Sequence, residues 1–242
     1  KTEKRSIVWV IHDYAGEIPG IMKAFIVLTT LWAVGTALTE SCYRDVESVC
    51  TPSNKLSTVT THCTAKYGAI DQIEPRLQKY VNNHFTRSFE YLLMSTHFAN
   101  YNKNRPGFEK LFRSFSDDTW EDGIELIQYI TKRGGQMNFN VLSDFDERTP
   151  DFELYEYYSI AKALDTYKEL AMEAHTIHKE AAKENSKFHD PEITSHIEHE
   201  FMHKHRDIIR KLAGYATDLN SILNGTDSSL SLYLFDEYLQ KQ

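Results

Sequence analysis

One stretch of the sequence concentrates carboxylates that could bind metal ions. Residues 114–139, SFSDDTWEDGIELIQYITKRGGQMNF, carry five acids ahead of a double glycine: Asp117, Asp118, Glu121, Asp122 and Glu125. On a helix, residues three or four apart are neighbours, so these like charges repel one another unless cations are present. Carboxylate oxygens are ligands that suit hard metal cations. The spacing therefore indicates the metal site of an enzyme, a surface that collects metal without chemistry, or an acidic face that only contacts solvent.

A second pattern with chemical meaning is HEFMH, in which His199, Glu200 and His203 fit the H-E-x-x-H motif of zinc metalloproteases. In that motif the two histidines hold zinc and the glutamate serves as general base. No H-E-x-x-H-x-x-G-x-x-H continuation follows, and Glu237 is the distant candidate for a third ligand. A zinc metalloprotease is therefore one alternative function.

Length and composition indicate a chain dominated by long helices. The 242 residues, 41% of them hydrophobic, are enough for one globular domain with extra segments at an end. Only six prolines and ten glycines interrupt the chain, which favours long helices over frequent turns. A net charge of −8 argues against a nucleic-acid partner, since that would require a basic surface, and fits metal cations or neutral protein surfaces better.

Residues 22–37, MKAFIVLTTLWAVGTA, have the pattern of a secretory signal peptide. One lysine leads into an apolar run that closes on small residues. The run is too short to cross a bilayer comfortably, so we expect no membrane anchor. Residues 1–21 are then a leader of doubtful origin. We expect the protein in the secretory pathway, in the endoplasmic reticulum and Golgi, and outside the cell.

All three cysteines, Cys42, Cys50 and Cys63, lie in an N-terminal extension that we place at residues 38–72. In an oxidising compartment cysteines of this kind form disulfides. Because three is an odd number, one bridge within the chain plus one bond to another chain is the simplest arrangement, and a free thiol is the alternative. Zinc binding is less favoured, because the spacings contain no C-x-x-C pair.

Four long segments with helical periodicity follow the extension. Proline tolerates the first turn of a helix, where its missing N–H would have no partner anyway. The prolines near the four predicted starts are Pro75, Pro106, Pro150 and Pro191. Nearby candidates for the N-terminal cap are Asn104, Thr149 and Asp190. Stop signals are present at Gly134-Gly135 and Asn224-Gly225, since these residues accept the positive φ that often ends a helix.

The connections between these segments predict how the helices pack. Three connections are short, so the helices that they join should be antiparallel. The stretch GGQMNFNVLSDFDERT, between the second and third segments, is long enough to run the length of a bundle. The last piece, SSLSLYLFDEYLQKQ, predicts a short fifth helix. Residues 73–242 should therefore form an all-α four-helix bundle with one long crossover connection and a short fifth helix.

Four motifs, in the correct order along the chain, resemble the ferritin family. FTRSFEYLLMSTHF resembles the first ferritin helix, YITKRGGQMNF the end of the second, ALDTYKELAMEAHTIHKEA the third, and SLSLYLFDEYL the fifth. The signal peptide and the cysteine-bearing extension are similar to those of the light-chain type of secreted insect ferritins. The resemblance implies a ferritin-like fold and an iron-storage subunit of a hollow shell that stores ferric mineral.

The resemblance also indicates where a ferroxidase-type subunit would bind two irons inside the bundle. Such subunits use a glutamate of the first helix, a Glu-x-x-His pair of the second, and a glutamate and a glutamine of the later helices. The matching positions here hold His84, Thr119, Asp122, Tyr167 and His205. A di-iron site needs several carboxylates to bridge two dications, so we expect no ferroxidase activity. His84, Tyr91, Tyr167 and His205 should form a hydrogen-bonded polar plug. A remnant single-metal site at His84, Asp122 and His205 is the alternative.

The resemblance assigns metal roles to two acidic regions. Asp117, Asp118 and Glu121 match positions at which ferritin light chains are thought to nucleate mineral, although a solvated acidic face explains the same residues. Glu198 matches a glutamate of the family's three-fold ion channel, with Ser195 in place of its partnering aspartate. Iron, as Fe(II), Fe(III) and stored ferric mineral, is therefore the expected bound species.

A subunit that does not oxidise iron implies a partner that does. By the resemblance, the partner is a ferroxidase-type heavy-chain subunit in a 24-subunit hetero-oligomer, and an unpaired cysteine would link the two chains. Asn224-Gly225-Thr226 is an N-glycosylation sequon, although a helix-stopping Asn-Gly pair explains the same residues. A secreted, metal-free helical binding protein is the remaining alternative function.

Overall fold

The computed structural model describes residues 41–49, 63–139, 153–184 and 186–242. The chain forms two compact units, Lys1–Thr64 and Ala65–Gln242. In the first unit, helix α1 spans Cys42–Val49, and Cys42 forms a disulfide with Cys63. Cys50, the predicted leader and the predicted signal peptide lie outside the described residues. None of the described helices combines the length and the apolar character that a membrane span requires.

The second unit is helical throughout its described elements. Its first three helices are α2 (Ile70–Phe98), α3 (Pro106–Lys132) and α4 (Glu156–Ala181). Helix α5 runs through Pro191–His196, a π-helical segment Ile197–Met202, and His203–Leu223; the short helix α6 spans Ser228–Gln240. The predicted all-α bundle of four long helices and a short fifth is confirmed.

Contacts between the helices establish their directions. Hydrogen bonds from the middle and end of α2 to successively earlier residues of α3 make these two helices antiparallel. Helix α4 is also antiparallel to α2, because Arg87 pairs with Glu169 and the earlier Arg76 pairs with the later Glu180. Helices α3 and α4 are therefore parallel, and the chain between them must pass from one end of the bundle to the other. Residues 140–152 of this predicted crossover lie outside the described residues.

The inward face of α5 explains why this helix contains a π-helical segment. Ile193, Ile197, Phe201 and His205 follow one another in steps of four residues, and all four are fully buried. In a regular helix of 3.6 residues per turn, repeated four-residue steps would rotate progressively away from the core. The wider turn of the π-helical segment, Ile197–Met202, compensates for this rotation. It keeps Phe201 and His205 on the inside of the bundle.

The start of α5 is capped as the sequence predicts. The Asp190 carboxylate accepts hydrogen bonds from the backbone N–H groups of Glu192 and Ile193, at 3.1 and 3.2 Å. These N–H groups have no partner within the helix, so a side-chain oxygen at this position stabilises the first turn. Pro191 occupies the first helical turn, where its missing N–H costs nothing.

The start of α3 is capped by a residue that the sequence analysis did not identify. The prediction that Asn104 caps this helix is wrong, because α3 begins at Pro106 and Asn104 makes no side-chain cap. Instead, Asp236 of α6 accepts the N–H groups of Gly107 and Phe108, at 3.0 and 3.1 Å. The fifth helix is thereby attached to the start of the second bundle helix. A negative charge at this position also interacts favourably with the helix dipole.

Candidate metal site

A cluster of polar side chains lies inside the bundle. The Tyr80 hydroxyl is 2.8 Å from His205 Nε2, and His84 Nδ1 donates to the Tyr80 carbonyl oxygen at 2.8 Å. Both imidazoles are fully buried, with ring centres 6.0 Å apart. The Tyr167 ring is 5.9 Å from that of His205. We call Tyr80, His84, Thr119, Tyr167 and His205 the core cluster.

Burial keeps both imidazoles of the core cluster neutral. Desolvation lowers the pKa of His84 to about 4 and that of His205 to about 3. A carbonyl oxygen can only accept, so His84 Nδ1 carries the proton and Nε2 keeps a lone pair. Neither His84 Nε2 nor His205 Nδ1 has a hydrogen-bond partner among the described residues. The interior thus contains two imidazole nitrogens with unused bonding capacity.

The carboxylate at the border of the core cluster is paired with a lysine. Asp122 of α3 is 6% exposed, and its Oδ1 accepts a hydrogen bond from Lys204 Nζ of α5 at 2.7 Å. Burial raises the pKa of Asp122 to about 6, although the Lys204 ammonium acts in the opposite direction. The sequence analysis missed Lys204, because 82 positions separate it from Asp122 and no local pattern connects them.

The core cluster does not fit a di-iron centre. Such a centre needs bridging carboxylates, but the Thr119 hydroxyl donates to the Phe115 carbonyl oxygen at 2.5 Å, and burial raises the pKa of Tyr167 far above its usual value. Asp122 is already paired with Lys204. Within the described ranges, no three His, Cys, Asp or Glu side chains are grouped so that they could hold a metal ion. This argues against the remnant metal site at His84, Asp122 and His205. The hydrogen-bonded polar plug stays a prediction, because the buried Tyr91 and Tyr167 hydroxyls have no hydrogen-bond partner among the described residues.

The predicted nucleation residues lie on the outward side of α3. Asp117 and Glu121 are exposed, and Asp118 is half-buried. Asp117 pairs with Arg113 at 3.0 Å, but both side chains are more than half exposed, so this pair holds the carboxylate only weakly. Asp118 is close enough to raise the pKa of Asp122. The acidic surface is therefore continuous with the buried carboxylate, and its metal role stays a prediction.

The predicted channel residue and the zinc motif share one region of α5. Glu198 lies 3.8 Å from His178 Nε2 of α4 and 4.0 Å from His203 Nε2. His199 Nδ1 donates to the Ser195 carbonyl oxygen at 2.9 Å. One histidine of the zinc motif therefore faces Glu198, while the other bonds to the backbone of its own helix. The role of Glu198 in an ion channel stays a prediction.

Glu237, the third ligand considered for zinc, lies far from the motif. It belongs to α6, which is attached at Gly107 through Asp236. Glu200 of the motif, in contrast, lies near Glu125 and raises the pKa of that carboxyl, together with burial. Gly107 and Glu125 are about 27 Å apart along α3, at the usual rise per residue. The structure gives no support to the metalloprotease alternative.

The predicted glycosylation site lies in the turn between α5 and α6. Asn224 is exposed, which an acceptor for a glycan requires. Its side-chain amide also donates to the Asn220 carbonyl oxygen at 2.8 Å, as expected for a residue that ends a helix. Both interpretations of the sequon fit this geometry, and glycosylation stays a prediction.

Comparisons with known proteins establish the family. Residues 75–222 match the model of the family Ferritin, described as a ferritin-like domain. The chain belongs to the ferritin family. This ferritin is similar to the ferritin light chain of Drosophila melanogaster, with 41% identity over 91% of this chain and 100% of that protein. The ferritin light chain of Trichoplusia ni is 43% identical over 86% of this chain and 93% of its own.

A solved structure extends the likeness to three dimensions. The crystal structure of Trichoplusia ni secreted ferritin matches this chain with a TM-score of 0.76 and 40% identity, over 84% of this chain and 100% of that one. Heavy chains of the family match less closely. The ferritin resemblance, the ferritin-like bundle and iron storage are thus confirmed, and iron is the species that this ferritin subunit handles.

The buried imidazoles make the core of this ferritin sensitive to acid. In the unfolded chain both histidines bind protons below about pH 6.5. The folded core resists protonation of His84 and His205 down to about pH 4 and 3. Their contribution to stability is therefore complete above about pH 6.5 and decreases as the pH falls. Asp122 opposes part of this loss below about pH 6, because its folded-state pKa is raised.

We predict a net loss of about 1.4 kcal/mol in unfolding free energy per pH unit between pH 6 and 4, since two histidines outweigh one carboxyl. Denaturant titrations at several pH values would measure this slope. A variant with both His84→Gln and His205→Gln should reverse the slope, so that its stability rises as the pH falls, because only the opposing contribution of Asp122 would remain from this group. Equal slopes in the variant and the wild type would contradict the prediction.

Proposed function

We propose that this chain is the light-chain, non-ferroxidase subunit of a secreted ferritin. The observation that carries this proposal is the core cluster. His84, Thr119 and Tyr167 present neutral groups where two ferrous ions would need carboxylates, and Asp122 is paired with Lys204. Without bridging carboxylates, the bundle interior cannot hold two ferrous ions for reaction with oxygen. The subunit stores iron that another subunit oxidises.

The partner in this proposal is a ferroxidase-type heavy chain in a shell of twenty-four subunits. Exposed apolar side chains support extensive assembly, since such patches mark protein interfaces. On α2 and α3, Phe89, Leu93, Trp120 and Ile124 are between 37% and 49% exposed. Helix α6 exposes a second set, consisting of Leu230, Tyr233, Leu234 and Tyr238.

We assign Cys50 to the covalent link with the heavy chain. Cys42 and Cys63 pair with each other, which leaves Cys50 as the unpaired cysteine of the three. In an oxidising compartment an odd cysteine forms a bond with another chain.

The proposal also divides the chain into a leader at 1–21, a signal peptide at 22–37, an extension at 38–72 and the ferritin domain at 73–242. It also includes secretion and glycosylation at Asn224.

Size-exclusion chromatography of the secreted protein, with iron analysis of each fraction, tests the assembly. We expect a high-mass, iron-bearing fraction in which this chain and a second chain separate only on a reducing gel. A Cys50→Ser variant should lose the cross-link and keep the bridge between Cys42 and Cys63. An iron-free monomer would overturn the shell, and a shell made of this chain alone would overturn the heavy-chain partner.

We further propose that the outward acids of α3 nucleate the ferric mineral. Asp117, Asp118 and Glu121 provide carboxylate oxygens without a closed coordination shell, which suits a growing mineral surface. Glu198 is proposed to line the three-fold ion channel, with His178 and His203 close to its carboxylate. The imidazole nitrogens of these two histidines, which are softer ligands than carboxylate oxygens, would add metal donors at the channel.

Neutralising the three nucleation residues should slow mineral growth. In shells that contain a heavy chain, we predict that combined Asp117→Asn, Asp118→Asn and Glu121→Gln lowers the initial rate of ferric core growth about tenfold, because the acids raise the local cation concentration. The matched control removes three exposed acids elsewhere: Asp165→Asn, Glu184→Gln and Asp218→Asn. Absorbance of the ferric core would record both rates. An equal effect of the two triple variants would refute a specific nucleation surface.

A further inference from the structure

A cleft of about 420 Å³ lies between α2 and α4, outside the core cluster. Four polar residues of α2 line it at steps of three or four positions, and they therefore share one face of that helix: Arg76, Lys79, Asn83 and Arg87. Leu170 and Ile177 of α4 also line the cleft and are only 2% and 1% exposed, so its bottom is apolar. A volume of this size is typical of sites that bind small molecules.

Regularly spaced polar pairs connect the two walls of this cleft. In order toward the start of α2, the pairs and their distances are Arg87–Glu169 at 2.8 Å, Asn83–Glu173 at 2.6 Å and Arg76–Glu180 at 2.5 Å. Because the two helices are antiparallel, each step toward the start of α2 corresponds to a step toward the end of α4. Every carboxylate of α4 in this series has its partner on α2.

One position in the series lacks a carboxylate. Lys79 lies about one turn before Asn83, and Thr176 lies about one turn after Glu173, so both residues line the cleft between the second and third pairs. The Thr176 hydroxyl is neutral and donates to the Met172 carbonyl oxygen at 2.8 Å. Lys79 is exposed and makes no hydrogen bond or ion pair with any residue that the structure describes. The cleft therefore contains an ammonium group that no described carboxylate neutralises.

We propose that this cleft binds a small organic carboxylate, with its anionic group at Lys79 and its apolar body against Leu170 and Ile177. Arg76 and Arg87 are already paired, so Lys79 is the lining cation that an incoming anion can use. The net charge of −8 repels anions from the surface in general, so an anion binds only where a specific cation attracts it. The apolar body is required because an exposed ion pair alone contributes little, whereas buried apolar area adds to the affinity.

Naphthalene-2-carboxylate tests the proposal, because it joins a carboxylate to a rigid apolar body. Naphthalene-2-carboxamide is the neutral control of the same shape. Calorimetric titrations of the assembled, secreted protein in a low-salt buffer would measure both affinities, since salt screens an exposed ion pair. We expect one carboxylate molecule to bind per subunit, about fivefold more tightly than the carboxamide. High salt should weaken binding of the carboxylate and leave that of the carboxamide unchanged.

Two variants remove the available charge in different ways. Lys79→Met eliminates the cation, and Thr176→Glu supplies the carboxylate that the series of pairs lacks. Each should lower the affinity for naphthalene-2-carboxylate about fivefold and leave the affinity for the carboxamide unchanged. Both positions are exposed, so both variants should keep the thermal midpoint of the wild type. Lys132→Met is the matched control, because it removes the same charge from an exposed position of α3 outside the cleft.

The possible results separate a specific site from general attraction. Absence of carboxylate binding, equal binding of the carboxylate and the carboxamide, or wild-type affinity in Lys79→Met would overturn the proposal, and so would an equal loss in Lys132→Met. If Lys79→Met assembles poorly, Thr176→Glu provides the same test with the lysine in place. The site does not depend on iron chemistry. Iron(II) oxidation by the same wild-type sample would contradict the proposed function and leave the carboxylate site unaffected.

Discussion

Replacing Arg133 with methionine is expected to lower the free energy of unfolding by about 3–5 kcal/mol, the cost of leaving a buried carboxylate without its cation. The Arg133 side chain is 5% exposed, and its Nη2 donates to Asp190 Oδ2 at 2.8 Å. The same nitrogen donates to the Tyr67 carbonyl oxygen at 2.9 Å, and the guanidinium lies 4.0 Å from the centre of the Tyr67 ring. Nη1 also bonds to Glu192.

This residue connects three parts of the bundle. Arg133 follows the end of α3, Asp190 caps the start of α5, and the Asp190 carboxylate also accepts the Ala69 N–H at 2.9 Å, just before α2. Burial alone would raise the pKa of Asp190, but the guanidinium and the N–H groups of Ala69 and Ile193 hold it below its usual value. Removing the guanidinium would therefore leave the buried Asp190 carboxylate charged and without its positively charged partner.

Arg113→Met is the matched control for this prediction. Arg113 pairs with Asp117 at a similar distance, but the two side chains are 58% and 55% exposed. Exposed pairs contribute little, so this variant should change stability by less than about 1 kcal/mol. Denaturant titration of both variants near neutral pH measures the difference. Similar values for the two arginines would mean that the buried network around Arg133 does not stabilise the fold.

Replacing Gly107 with alanine should detach α6 from the bundle. A Cβ at this position would lie 2.0 Å from the Asp236 backbone oxygen, so the two helices must move apart. The movement would break the hydrogen bonds from Gly107 and Phe108 to the Asp236 carboxylate. It would also separate the Phe108 and Phe235 rings, whose centres are 5.9 Å apart. We expect a loss of about 3 kcal/mol or more in unfolding free energy, together with less assembled shell.

Gly214→Ala distinguishes a specific collision from a general effect of alanine. Gly214 lies inside α5, and a Cβ there would meet only the end of the flexible Arg210 side chain, at 3.3 Å. Alanine favours the helix over glycine, so this variant should be more stable by about 0.5–1 kcal/mol. Thermal unfolding and size-exclusion chromatography would compare the two variants. A Gly107→Ala protein with normal stability and assembly would show that α6 tolerates the displacement.

The number and order of the helices could be predicted because their signals are local. The apolar residues of α4 recur every three or four positions, and Ile160, Tyr167, Leu170 and Ile177 are buried as this spacing requires. The Asp190 cap was predictable for the same reason, since the carboxylate bonds to N–H groups two and three residues later. The π-helical segment also had a signal, in the repeated four-residue steps along α5, which the sequence analysis did not use.

Interactions between distant parts of the chain could not be predicted in this way. Asp236 caps α3 across 129 positions, and Asn104 was the better candidate only because it lies nearby. The pairing of Asp122 with Lys204 was missed for the same physical reason. Four of the five positions of the core cluster, all except Tyr80, were predicted through the ferritin resemblance, which supplies three-dimensional information that residue spacing alone lacks. The burial of His84 and His205 then explains why neutral imidazoles are stable there.

The rate of oxygen-dependent iron(II) oxidation by shells of this chain alone tests the central claim most directly. The account predicts a rate equal to the autoxidation of iron(II) in buffer, and a marked increase when a ferroxidase-type heavy chain is present in the same shell. Oxygen consumption and ferric absorbance would be recorded together. A saturable burst that consumes about two iron ions per subunit would contradict the account, because it requires a di-iron centre within this chain.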